Sequence, residues 1–333
     1  MIFADMHCDT ITELYKKVKN GSNETIRKNT LHIDLYKLKE ADYLLQNFAV
    51  FINRGKSKEL FKDCIRNIEF YYKEMDKNKD IILPVTTFEQ IRNNIKKGKM
   101  SALLTVEEGG VLEGSIENLH KLYRLGVRMI TLTWNYENEL GYPNFDRQKF
   151  NESGCSKPDF HIVNKEQGLT TTGIYILEEM QRLGMIVDVS HGSDKLFYDV
   201  CHNSKKPFVA SHSNAREICN NCRNLSDDMI KELANHGGVM GLNFCADFLN
   251  EHSNGMCYIE DIVQHMKHIK KVGGTDVIGL GTDFDGIENE LEMKDASGMM
   301  LLFDEMLRND FNSSEIEKIF SKNVLRVYKE VLM

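Results

Sequence analysis

A closed barrel of eight parallel strands, each followed by a helix, is the fold class this sequence predicts, and three observations predict it. Short apolar runs recur along the whole 333-residue chain with amphipathic stretches between them. No proline-rich or low-complexity linker breaks the alternation. Several of the runs end in His, Asp or Glu. Strand then helix, repeated without a long linker, is the pattern of a single (β/α)8 (TIM) barrel, and a single domain over residues 1–333 is the expected organisation.

The eight strands are expected near residues 2–7, 44–52, 102–107, 128–134, 185–190, 207–211, 239–244 and 277–282. Spaced apolar residues predict helices over 57–73, 116–125, 171–183, 193–202, 227–235 and 259–272, with a closing C-terminal helix over 313–328. Ser226 followed by Asp227 and Asp228 suits a helix start, because a hydroxyl can take a free amide and acids favour the positive end of the dipole. Gly126, Gly184 and Gly273 are expected as left-handed caps. The connection over 16–44 has room for a small hairpin or helix. The polar, Asn-rich stretch 135–168 lacks periodicity and is expected to be a long loop after strand four, part of a substrate lid.

Composition narrows the function classes. At 41% hydrophobic and 28% charged residues the chain is ordinary for a protein with a large core, and its formal net charge of −8 with scattered basic residues argues against nucleic acid as a partner. The N-terminal residues show no signal-peptide pattern, and no apolar run reaches the ~20 residues of a bilayer span, so a cytoplasmic protein without a membrane partner is expected. Eight cysteines are dispersed, which favours reduced thiols. Cys219 and Cys222 form one Cys-x-x-Cys with no second pair, read as two free thiols. A homodimer is left open.

The chemistry collects at the strand ends. His7 and Asp9 lie two residues apart on an extended segment, so both side chains project the same way while Cys8 points opposite. Glu107 and Glu108 end strand three, His191 strand five, His212 strand six and Asp283 strand eight. In a barrel these ends meet at one mouth, and imidazole with carboxylate is a good ligand set for a catalytic zinc-like ion. The other eight histidines sit in helical or loop contexts, where a solvated or locally hydrogen-bonded role is expected. Asp283-Phe284-Asp285-Gly286 lacks the further oxygen ligands of a calcium loop, and Gly279-x-Gly281 is too short for a dinucleotide fingerprint. Trp134 and Tyr136 can wall a substrate pocket or simply pack at a strand end.

On His7-Cys8-Asp9, Glu108-Gly109-Gly110, Asp188-Val189-Ser190-His191, Ser211-His212-Ser213, Arg223-Asn224, Gly237-Gly238-Val239-Met240 and Gly281-Thr282-Asp283-Phe284-Asp285-Gly286, the chain resembles the membrane dipeptidase (renal dipeptidase) family of the metal-dependent amidohydrolase superfamily, over nearly its whole length. That resemblance implies two Zn2+, one held by His7 and Asp9 and the other by His191 and His212. They would be bridged by Glu108 and a hydroxide, with Glu107 the adjacent alternative to Glu108. It implies Asp283 as general acid/base and Arg223 as the group that takes the terminal carboxylate of a short peptide substrate, including peptides with a D-residue. Where many family members carry His after Leu-Thr, this chain has Trp134 followed by Asn135, expected to contact substrate; indole offers one neutral donor and no titratable charge. The alternatives to a binuclear dipeptidase are an N-acyl amino acid deacylase and a metal-binding barrel without catalysis.

Overall fold

The computed structural model describes residues 1–145 and 160–333. In chain order the strands are β1 (Phe3–Asp5), β2 (Tyr43–Phe51), β3 (Ile82–Val85), β4 (Met100–Glu107), β5 (Met129–Thr131), β6 (Ile186–Asp188), β7 (Val209–Ala210), β8 (Val239–Leu242), β9 (Met256–Cys257), β10 (Ile278–Leu280) and β11 (Glu290–Leu291). Pairing runs β2-β1-β10-β8-β7-β6-β5-β4, and β4 returns to β2, so eight parallel strands close into the expected (β/α)8 barrel. The register ties Leu45 to Ser101 at one end and Phe51 to Glu107 at the other.

Side-chain alternation sorts each strand into two layers. Leu103 of β4, Met129 of β5, Ile186 of β6, Val209 of β7 and Val239 of β8 share one buried cluster with Leu45 of β2. Their neighbours Ala102, Leu104, Val106, Ile130 and Val187 join the larger cluster that includes helix residues such as Ile68, Leu119 and Leu177. Val324, Val327, Tyr328 and Val331 of the helix Asn323–Val331 belong to the first cluster, and Tyr328 Oη accepts a 2.6 Å hydrogen bond from Asn47 of β2. The last helix is thereby joined to the barrel's own filling. Burying one such Val, Leu or Ile contributes about 1.5–3 kcal/mol.

The helices Ile116–Arg124, Thr171–Leu183, Asp194–Asn203, Asp227–Asn235 and Ile259–Gly273 lie where the periodicity predicts them, and Leu60–Lys77 begins and ends a few residues late. Ser226 caps its helix by accepting from Met229 N. Gly126 and Gly184 take positive φ, but after the helix ending at Gly273 it is Gly274, at φ +84°, that does so. The closing helix is three pieces: Ser313–Glu317, a π-helical Lys318–Lys322, and Asn323–Val331. In the first connection stand the helices Thr10–Lys19 and Leu35–Glu40.

One strand and one helix lie outside those expectations. β3 pairs with Met100–Leu103 of β4, while β5 pairs with Thr105–Glu107, so two short strands share one edge of β4. The helix Phe88–Lys96 follows, opened by a capping box between Thr87 and Gln90. Residues 146–159 of the loop expected as a lid lie outside the described residues. Among the described residues no helix is long and apolar enough to cross a membrane, and Cys219 and Cys222 are buried free thiols.

Candidate metal centre

At the C-terminal ends of the strands, His7, Asp9, Glu107, His191, His212 and Asp283 come together, all less than a tenth exposed. Glu107 is the hub. Its Oε2 lies 3.6 Å from His7 Nε2, and its Oε1 lies 3.0 Å from His191 Nε2 and 3.5 Å from His212 Nε2. His7 Nε2 is also 3.7 Å from Asp9 Oδ2 and 3.7 Å from Asp283 Oδ1. Two sets, His7 with Glu107 and His212, and His7 with Asp9 and Asp283, each place their ligand atoms within 4.8 Å of one another.

Glu108, expected as the bridge, is not in this group. It is fully buried and turns away: Oε1 accepts from Gly110 N at 2.7 Å and Asn138 Nδ2 at 2.6 Å, and Oε2 from Trp134 N at 3.2 Å. The reason is strand parity. Leu103 faces the barrel interior, so Glu107, four residues on, does too, whereas Glu108 falls on the opposite phase with Leu104 and Val106. The chain then breaks to φ +91° at Glu108.

The protein fixes the proton on two of the imidazoles. His191 Nδ1 faces Asn135 Oδ1 at 2.8 Å, an acceptor, so Nδ1 carries the hydrogen and Nε2 a lone pair. His212 Nδ1 faces Ser211 Oγ at 2.7 Å, and the single Ser211 proton is committed to Asp188 Oδ2 at 2.6 Å. His212 Nδ1 therefore donates, and its Nε2 is bare as well. Asp188 is held by Thr131 Oγ1 at 2.6 Å and by the backbone amides of Ser190 and Ser211. Gly241 and Gly281 make room for this turn, since a Cβ on either would meet Ser211 O at 2.1 or 1.7 Å.

The result is a frustrated contact that suits a cation. His191 Nε2 and His212 Nε2 stand 3.0 Å apart with a carboxylate oxygen between reach of both, three acceptors and no donor. On the other side His7 Nδ1, His7 Nε2 and Asp9 Oδ1 are buried with no hydrogen-bond partner among the described residues. Nitrogen and oxygen donors in such an array fit a divalent ion of the zinc type. Electrostatics agree. Burial pushes His191 down to about 4 and His212 well below its ordinary range, keeping both neutral. Burial opposes charge on His7, but Glu107 and Asp9 prevail and hold it well above the usual range. Burial, then the Glu107 charge, raises Asp9 to about 6.

Asp283 sits at φ +60°, with Oδ2 accepting from Asn243 Nδ2 at 2.9 Å, and burial raises it to about 7. Its neighbour Asp285 is spent on loop contacts, taking Thr10 Oγ1 at 2.5 Å and His32 N at 2.6 Å. Arg223 is 3% exposed; Nη2 donates to His212 O at 3.2 Å, while Nε and Nη1 have no partner among the described residues. Its guanidinium lies 5.3 Å from the Phe248 ring centre. A cavity of about 650 Å³ opens above the cluster, walled in part by Phe51, Trp134, Asn135, Phe160 and Phe248.

Sequence reasoning missed four supporting residues: Asp188 and Ser211 behind His212, Asn243 behind Asp283, and Asn138 behind Glu108. Asp188, Ser211 and Asn243 lie in or just after a strand, which is the signal that places them at the same rim, whereas Asn138 lies seven residues beyond β5 and carries no such signal.

A family model described as membrane dipeptidase (peptidase family M19) matches residues 1–332. An uncharacterized dipeptidase of Schizosaccharomyces pombe is 32% identical over 314 residues, 90% of this chain and 72% of that protein. Dipeptidase 3 of Mus musculus is 30% identical over 81% of this chain and 50% of its own length. Among solved structures, a metallo peptidase from Rhodobacter sphaeroides, liganded with a phosphinate mimic of the dipeptide L-Ala-D-Ala, superposes with a TM-score of 0.88 at 22% identity, covering 99% of both chains. A probable dipeptidase from Pseudomonas aeruginosa gives 0.78 at 19%, over 97% of this chain and 98% of that one.

Proposed function

We propose, starting from the fact that this chain belongs to the membrane dipeptidase family, that it hydrolyses the peptide bond of short peptides with two zinc ions bound at the barrel mouth. His7, Asp9 and Glu107 would hold one ion; His191, His212 and Glu107 the other. When bound, such ions lower the pKa of water and polarise a carbonyl oxygen, which is what amide hydrolysis at neutral pH requires. The observation that carries this reading is the Glu107 carboxylate, with one oxygen turned to His7 and the other to His191 and His212.

The chain's own groups supply the rest. Asp283 has Oδ2 pinned by Asn243, leaving Oδ1 beside His7 to take a proton from the attacking water and hand it to the departing amine. Arg223, buried with Nε and Nη1 open, is suited to take the terminal carboxylate of the substrate in a bidentate pair. Trp134 and Phe51, with ring centres 4.9 Å apart, form an apolar wall of the cavity. Asn135 turns its oxygen to His191, which leaves its amide nitrogen as a donor for substrate. The dipeptide mimic held by the Rhodobacter sphaeroides protein supports an occupant of that size, and its D-residue supports testing both stereoisomers.

The test is turnover of a zinc-loaded preparation on dipeptides of L,L and L,D configuration against N-acyl amino acids, with Asp283→Asn alongside. Dipeptide hydrolysis is expected, with the variant keeping its metal and losing about 10²- to 10⁴-fold in kcat. Hydrolysis of N-acyl amino acids alone would favour the deacylase, and a zinc-loaded protein that cleaves no amide would refute both.

A further inference from the structure

Glu108 sits where a carboxylate is least comfortable. It is fully buried, one residue from the hub of the metal centre, and its backbone lies at φ +91°, a region that side chains other than glycine rarely adopt. Yet it touches no metal-centre ligand; its oxygens are spent on Gly110 N, Asn138 Nδ2 and Trp134 N. Strain of this kind persists only where surrounding contacts impose it, so the contacts themselves are the clue.

Two of the three donors come from the loop after β5. Trp134 and Asn138 flank Asn135, the residue whose Oδ1 faces His191 Nδ1. Asn138 extends the grip, donating also to Leu132 O at 2.9 Å and accepting from Leu140 N at 2.8 Å and Gly141 N at 3.2 Å. The glycines that follow Glu108 serve the same arrangement. A Cβ on Gly110 would fall 2.4 Å from Glu108 Oε1, and one on Gly109 2.5 Å from Leu132 O. Glu-Gly-Gly is thus a socket for the loop and not a ligand motif.

We propose that Glu108 is a positioning residue: through the 132–141 loop it sets Asn135 against His191, and so fixes His191 with its Nε2 lone pair aimed at the cation shared with His212 and Glu107. This rests on the two-ion reading above. It makes the His191 half of the centre dependent on Glu108, and leaves the His7 half independent of it, because no hydrogen bond links Glu108 or Asn135 to His7, Asp9 or Asp283 among the described residues.

The experiment is zinc titration of the full chain against a competing chelator, resolving two ions, for wild type, Glu108→Gln, Asn135→Leu, Asn135→Asp and the Glu108→Gln/Asn135→Leu double variant. Glu108→Gln sets an amide N–H against the Trp134 N–H, and Asn135→Leu deletes the acceptor. Each is expected to weaken one ion by about 10- to 100-fold and leave the other unchanged. Asn135→Asp keeps an acceptor at Nδ1 and should restore binding. The double variant should be no worse than Asn135→Leu alone, since both act through one contact. A Glu108→Gln protein that only melts earlier, with both affinities intact, overturns the proposal, as do additive effects or equal weakening of both ions. A wild type that takes up no zinc would instead overturn the two-ion reading beneath it.

Discussion

His7 and His191 share one barrel rim and are held in opposite ways. His191, like His212, has its Nδ1 engaged by a protein acceptor and is kept neutral by burial, with a lone pair aimed inward. His7 has neither ring nitrogen hydrogen-bonded; it stacks on His212 with ring centres 3.9 Å apart and is surrounded by the carboxylates of Asp9, Glu107 and Asp283. One half of the centre is ordered by the protein before any cation arrives. The other gathers three carboxylates on one imidazole, an arrangement that the proposed cation would order. Glu107 reaches both, and in the proposed two-ion centre it would couple them.

The sharpest way to break the contrast is to remove what the halves share. Glu107→Gln should abolish tight binding of both ions and lower turnover by about 10⁴-fold or more, measured by metal content and by kcat on the best dipeptide. Retention of either ion at wild-type affinity would separate the halves. A smaller effect is expected from Ser211→Ala, which strips His212 of the relay to Asp188. Affinity for one ion should fall by about 10- to 100-fold by chelator competition, with the His7 side unaffected. Loss of both ions together would mean that the ordered half is not autonomous.

His265 offers a control outside the centre. It too is fully buried, with both nitrogens satisfied by Ala215 N at 3.0 Å and Leu249 O at 2.9 Å, but among the described residues it pairs with no carboxylate. Burial pushes it down to about 4. Above pH 6.5 the ring is neutral in folded and unfolded chains alike, and its stabilising contacts count in full. As pH falls from 6.5 toward 4 the unfolded chain takes the proton and the folded one does not, so stability drops by about 1.4 kcal/mol per pH unit. His265→Gln, which can accept and donate at the same places, should remove that slope from acid unfolding curves; an unchanged slope would show that His265 is not buried neutral.

Much of the frame was legible because it is written in periodicity. All eight barrel strands follow from apolar runs, and the strand ends named His7, Asp9, His191, His212 and Asp283 before any coordinates. β3 escaped because Ile82–Val85 is four residues long and contains Pro84, which argues against a strand that must donate along a ladder. Its helix is signalled by Thr87-x-x-Gln90, the spacing of a capping box. The exchange of Glu107 for Glu108 has a different origin. Motif likeness pointed to the glutamate next to the glycines, while counting parity from Leu103 through Thr105 would have chosen Glu107. The expectation that Asn135 contacts substrate does not extend to His191, because sequence carries no record of which way a loop amide turns. Its contact with His191 depends on Glu108 and Asn138, partners set by tertiary closure of the loop.

The central claim, that Glu107 joins two cation sites, is tested most directly by anomalous diffraction at the zinc edge from a zinc-loaded crystal. Two peaks are expected, one on each side of the Glu107 carboxylate, the first against His7 and Asp9 and the second against His191 and His212. A single peak, or one coordinated by Glu108 with Glu107 turned away, would contradict it.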